Sequence, residues 1–237
     1  MNRVGVDHTD RTAVRTDKVW KTFSQTAEEV HAIRDLSLVI DRGEFVALAG
    51  PSGSGKTTLL NLMGGLTLPT SGAVWVAGRD LTQLSMAELA RIRLTDVGFI
   101  FQAYNLLPVL TALENAEFPL LLRGIKKDER EQRVRKLFSR AGLAGLESRL
   151  PGKLSGGQQQ RVAVIRAIVG EPSLVLADEP TANLDSSASD GLLEMMQEFN
   201  QEFKTTFIFA THDHRVMARA NRLIHLIDGS IEIDKQH

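Results

Sequence analysis

Three short clusters in this chain of 237 residues hold side chains whose types and spacing suit work on a polyphosphate. The first is Gly50-Pro51-Ser52-Gly53-Ser54-Gly55-Lys56-Thr57, which fits the spacing G-x-x-x-x-G-K-[ST]. Glycines let the backbone wrap closely around an anion with several N–H groups pointing inward. A helix opening near Thr57 adds the positive end of its dipole. Lys56 would reach the β- and γ-phosphates of a nucleotide, and the Thr57 hydroxyl would ligate Mg2+. The second cluster is Asp178-Glu179, delivered by the apolar run Leu174-Val175-Leu176-Ala177. Ligands of open α/β sheets sit at the C-terminal ends of strands, where Asp178 would hold Mg2+ through a water and Glu179 would polarise an attacking water. Taken alone, this pair also reads as an acidic turn closing a strand. The third is Leu154-Ser155-Gly156-Gly157-Gln158 ahead of a helix expected over Gln159–Val169. It would aim a second set of N–H groups at an anion, or be a serine-capped turn and no more.

These groups need a scaffold that brings distant segments to one edge. Ala32–Ile40 alternates enough for a strand, Asp41-Arg42-Gly43-Glu44 reads as a turn, and Phe45–Ala49 is a continuous apolar run suited to a strand buried on both faces. The glycine loop follows, and then a helix over Thr57–Leu66, the order that begins a βα unit of a parallel sheet. Leu174–Ala177 and Thr206–Ala210 repeat the buried-strand pattern, the latter ending at Thr211-His212-Asp213. Leu223–Ile227 and Ser230–Ile233 are expected to close the fold as a hairpin around Asp228-Gly229. Between about Met86 and Leu154 the chain turns charged and helical in period, with helices over Ala87–Leu94 and Lys127–Ala141. The expected fold is α/β: a P-loop NTPase core of the RecA-like kind, an antiparallel β subdomain, and an inserted α-helical subdomain. Residues 1–13 are expected to be a flexible lead-in and 14–237 one domain. Its catalytic core spans about 14–86 and 155–237, and its helical part about 87–154.

Bulk composition narrows the function. Lys and Arg number 28 against 29 Asp and Glu, so no net basic charge favours nucleic acid. With no cysteine, disulfides and thiolate metal sites are impossible, which fits a reducing compartment. The polar start to Asp17 lacks a secretory pattern, and no apolar run approaches the roughly 18–20 residues that span a bilayer. Any membrane role would come through a partner.

The segment Leu154-Ser155-Gly156-Gly157-Gln158, placed shortly before the Asp178 strand, resembles the signature of the ABC ATPases. Other motifs match residue by residue. Gln102 after Gly98-Phe99-Ile100-Phe101 resembles the glutamine of the Q-loop. Ala182-Asn183-Leu184-Asp185 resembles the D-loop, and His212 the switch histidine. The resemblance implies that ATP is held by Gly50, Pro51, Ser52, Gly53, Ser54, Gly55, Lys56, Thr57 and Thr58, with Gln102, Asp178 and His212. Phe23 would stack on adenine where the family usually has Tyr, with Trp20 as the alternative. Leu154, Ser155, Gly156, Gly157, Gln158 and Asp185 would act on ATP held by a second copy, so a dimer is implied. Mg2+ would be held by Thr57, Gln102 and Asp178. Glu179, His212 and Gln102 would be catalytic.

Within the superfamily, the runs Gly98 to Pro108, Leu154 to Arg161 and Asp178 to Asp185 are similar to the lipoprotein-release (LolD) and macrolide-export (MacB) group. That likeness implies a partner permease with few membrane helices and a large extracytoplasmic domain. It places the chain peripherally, on the cytoplasmic face of the inner membrane. Ile165 stands where Ala is usual and Ala182 where Gly is common. A related engine, the FtsE kind, drives a membrane signalling protein in cell division and shares these motifs. A DNA-repair type would need long coiled coils or a zinc module, and the short insert offers neither. A binding module without turnover would not need Glu179 and His212. Tyr104, Leu106, Leu107 and Leu110 suit either permease docking or a core.

Overall fold

The computed structural model describes residues 11–25 and 28–236. In chain order these give β1 (Thr12–Gln25), β2 (Glu28–Asp41), β3 (Phe45–Ala49), α1 (Lys56–Met63), β4 (Ser71–Val76) and β5 (Arg79–Asp80). Next come α2 (Met86–Thr95), β6 (Val97–Ile100), α3 (Ala112–Leu122), α4 (Lys127–Arg140) and α5 (Gly156–Ile168). The last part holds β7 (Leu174–Asp178), α6 (Ser186–Phe203), β8 (Thr206–Ala210), α7 (His214–Arg219), β9 (Arg222–Ile227) and β10 (Ser230–Gln236).

The strands form two sheets. Strands β2-β1-β4-β5 make an antiparallel sheet, and β10-β9-β3-β8-β7-β6 make a sheet that is parallel except for β10. Strands β3, β7 and β8 are apolar on both faces because both are covered. In β3, Phe45 and Ala47 join one core with Val134, Phe138, Val162, Leu192 and Phe199 from α4, α5 and α6. Val46 and Leu48 face the other core, which includes Leu59 and Leu62 of α1 and Val14, Ile40 and Val74 of the antiparallel sheet. Phe45 is 4.5 Å from Phe209 between ring centroids, which fixes β3 against β8 on the helical side.

Four expectations are corrected. Most of the expected lead-in lies outside the described residues, but Thr12 and Ala13 already belong to β1, and Ala13 is buried. The alternation there is obscured by the buried polar Thr16 and by a register shift beside Lys18, whose φ is 46°. Val97–Ile100 is an edge strand of the parallel sheet, so the chain returns to the core inside the stretch expected to be helical. Helix α1 stops at Met63, where Gly64 and Gly65 follow, rather than at Leu66. Helix α5 starts at Gly156, three residues before the expected Gln159, because Ser155 caps it.

Candidate nucleotide site

The loop from Gly50 to Gly55 joins β3 to α1 with positive φ at three glycines, 147° at Gly50, 80° at Gly53 and 101° at Gly55. At two of them the neighbours also demand glycine. A Cβ on Gly50 would lie 2.2 Å from the Leu226 carbonyl oxygen, and one on Gly55 would lie 2.5 Å from that of Ala32. The turn between β9 and β10 braces the loop, since the Gly229 N–H donates to the Ser54 carbonyl at 3.1 Å. Inside the loop the Lys56 ammonium donates to the carbonyls of Gly50 and Pro51 at 2.7 and 2.9 Å. A buried cation is thus held by two carbonyls of the loop, which an anion can replace.

Strands β7 and β8 bring the acids to the same edge. The Thr57 hydroxyl donates to Asp178 Oδ1 at 3.1 Å. Burial raises the Asp178 carboxyl above its ordinary range and Glu179 adds to this, while the Thr57 hydrogen bond and the Lys56 charge oppose it. Glu179 follows with φ 47°, its N–H bonded to the Ala210 carbonyl at 2.9 Å. Its carboxylate meets the Thr211 hydroxyl at 3.3 Å and His212 Nδ1 at 2.7 Å. His212 is exposed, while the Glu179 side chain is largely covered. The next residue, Asp213, ties this edge together. Burial by itself would raise its carboxyl, yet hydrogen bonds from the Arg215 side chain and backbone and from Thr181 hold it down to about 2.

A cleft of about 920 Å³ collects most of the expected groups: Gly50, Pro51, Ser52, Gly53, Gly55, Lys56, Thr57, Thr58, Gln102, Asp178, Glu179 and His212. Ser54 is buried beneath the loop and does not line the cleft. Phe23 does not line it either. It lies exposed on β1 opposite Val30, which does, and the Lys21 ammonium stands 5.0 Å from its ring centroid. Trp20 sits edge-on to His31 at 6.1 Å. Sequence reasoning missed the wall made by Glu29, Val30, His31, Ala32, Arg34 and Asp228. Ala32 and Arg34 were legible only as strand and Asp228 only as a turn residue, while Glu29, Val30 and His31 fell before the expected strand.

Leu154 to Gln158 and Asp185 lie outside this cleft. Ser155 Oγ accepts from the Gln158 N–H at 3.3 Å and Gln158 Oε1 accepts from the Ser155 N–H at 3.0 Å, a capping box that opens α5. Asp185 caps α6 by a single bond, its side chain accepting from the Ala188 N–H at 2.8 Å. Of the four apolar residues after Gln102, only Leu107 is well exposed, and Leu106 packs on the core.

A family model described as "ABC transporter" matches residues 33–182. The chain belongs to the ABC transporter family. Among its relatives, the lipoprotein-releasing system ATP-binding protein LolD 1 of Chlorobium chlorochromatii is 47% identical over 86% of this chain and 83% of its own. The macrolide export ATP-binding/permease protein MacB 1/2 of Paracoccus denitrificans is 44% identical over 94% of this chain but 33% of its own, so this chain matches one third of that protein. A dimeric post-hydrolysis structure of the ATP-binding cassette MJ0796 bound to ADP and Pi superposes with a TM-score of 0.88 at 39% identity. It covers 94% of this chain and 98% of that one. The chain therefore carries the ATP-binding cassette of an ABC transporter, with the expected P-loop core, β subdomain and helical part.

Proposed function

We propose that the chain is the ATP-hydrolysing subunit of an ABC transporter of the lipoprotein-release and macrolide-export type, working as two copies around two ATP molecules. The carrying observation is the meeting of Lys56, Thr57, Gln102, Asp178, Glu179 and His212 in one cleft, while the capped helix start at Ser155 stands outside it. One nucleotide fills the cleft, so the second helix start is left to meet the nucleotide of a facing copy.

The chain's own groups then have separate tasks. Lys56 exchanges two carbonyl partners for phosphate oxygens, and the loop N–H groups hold the remaining charge. Thr57 and Asp178, already in contact, fit a hard cation that takes one or two protein oxygens, and the raised carboxyl of Asp178 is a buried charge that a cation would relieve. Mg2+, when bound there with Gln102, supplies neutralisation of the phosphate charge. Glu179 orients and polarises the attacking water from the end of β7, and the exposed His212 beside it contacts the γ-phosphate. Phe23 offers an aromatic face for adenine beside the Val30 wall.

Among the described residues no helix is long and apolar enough to cross a membrane; in this reading force reaches the membrane through a permease. A groove of about 250 Å³ between β6, α3 and α5, lined by Phe101, Phe118, Leu122 and Arg123, suits an inserted permease segment, with Leu107 and Val109 exposed on the neighbouring loop. In this reading the subunit sits on the cytoplasmic face of the inner membrane.

Glu179→Gln should lower kcat by about 10²-fold or more while ATP stays bound, the usual scale for a positioned general base; rapid hydrolysis by that variant would remove Glu179 from its role. The same variant, tagged and loaded with ATP, tests the transport role by mass spectrometry of what co-purifies from detergent-solubilised membranes. A permease with few membrane helices and a large extracytoplasmic domain supports the reading. A division protein, or no membrane protein, overturns it and leaves the ATPase chemistry intact.

A further inference from the structure

The loop that leaves β6 carries Gln102 and then adopts a backbone its residues do not favour. Tyr104 and Asn105 both have positive φ, 59° and 51°. Two consecutive residues other than glycine keep left-handed backbone only where contacts hold them there. Those contacts come from α5. The Arg166 guanidinium, in its last turn, donates to the Asn105 carbonyl at 2.6 Å and to the Tyr104 carbonyl at 2.8 Å. At the other end of the same helix, a Cβ on Gly156 would stand 2.9 Å from the Tyr104 hydroxyl oxygen. Gly156 and Arg166 are about 15 Å apart along the axis at 1.5 Å per residue, and helical side chains lean toward the N-terminus, so one short loop can meet both. A third tie comes from the segment after β7, where the Asn183 amide donates to the Gln102 carbonyl at 2.9 Å.

Arg166 is half-buried and forms no ion pair among the described residues. A guanidinium in that setting is costly unless its donors are used, and here they are aimed at two adjacent carbonyls of one loop. We propose that Arg166 is a positioning residue for the ATP site, fastening the Gln102 loop to α5 so that the cleft and the Ser155 helix start move as one body. This rests on the roles proposed above for Gln102 and Ser155. Filling of the cleft in one copy would then be felt directly at the helix start that meets the other copy.

The test compares Arg166→Met, Arg166→Lys, Gln102→Ala and the double variant Gln102→Ala/Arg166→Met by steady-state ATPase kinetics and by hydrogen exchange over residues 101–108. Arg166→Met should lose about tenfold or more in kcat with KM within about twofold of the unsubstituted chain, the scale of lost charge-assisted hydrogen bonds. Exchange should rise over 101–108 and stay unchanged elsewhere. Arg166→Lys keeps the charge and one bond, so it should recover part of both effects. The double variant should be no slower than Gln102→Ala, because both changes act through one loop. Unchanged exchange over 101–108 in Arg166→Met, or losses that multiply in the double variant, would overturn the proposal. If Arg166→Met does not fold, the exchange of Arg166→Lys decides, with unchanged protection counting against it. Full turnover by Gln102→Ala would overturn the Gln102 role instead, and the exchange result alone would then say whether Arg166 holds the loop.

Discussion

Asp178 shows how a side chain at the site is set against the stability of the fold. Burial raises its carboxyl in the folded chain above the unfolded value, so the folded state binds that proton more tightly. The sign follows from linkage: any stabilisation from Asp178 is complete below about pH 4, and it is lost as the pH rises through the raised folded value. At neutral pH the ionised group therefore costs stability. Asp178→Asn should raise the Tm of the nucleotide-free protein at pH 7 by about 1–2 °C, kept small by partial solvation, and leave it unchanged near pH 3. Thermal scans at the two pH values check this, and a lower Tm at pH 7 would mean that the Thr57 contact outweighs the burial. Residue types were legible at this scale wherever chemistry restricts them, as at Lys56, Asp178 and Glu179. The pairing of Glu179 with His212 was not, because it depends on where β7 and β8 end in register, with Asp178 opposite Ala210. Phe23 was legible as an aromatic, but its exposed place beside the cleft wall follows from the β1–β2 register.

Among the elements, β6 explains best what the sequence concealed. It is four residues long with a glycine at its second position, and glycine weakens any strand pattern. The structure supplies the reason for that glycine: a Cβ on Gly98 would lie 2.3 Å from the Ala167 carbonyl oxygen, where α5 packs on the strand. Gly98→Ala should accordingly destabilise the chain by about 1–3 kcal/mol, the cost of overpacking against rigid backbone. Urea unfolding measures it, and a midpoint within error of the unsubstituted chain would show that β6 and α5 can separate freely. Helix α3 was hidden for a related reason, since Pro119 lies inside it. Strands β3, β7 and β8 were plain because burial on both faces leaves an unbroken apolar run. The start of α5 was misplaced by three residues because two glycines at a helix start look like loop until the Ser155–Gln158 capping box is seen.

For the whole molecule, the question is what a second anion-type helix start is for. Ser155 to Gly157 are part of this chain yet outside its cleft, so a facing copy is needed to complete each proposed site. The measurement that tests this most directly is sedimentation of Glu179→Gln and of Glu179→Gln/Ser155→Arg, each with and without Mg2+ and ATP, alongside the ATP affinity of both. An ATP-dependent dimer is expected for the first variant. For the second a monomer is expected that still binds ATP within about threefold, since the groups that line its own cleft are unchanged. Loss of ATP affinity together with the dimer would contradict a shared site, because Ser155 would then serve the nucleotide of its own chain.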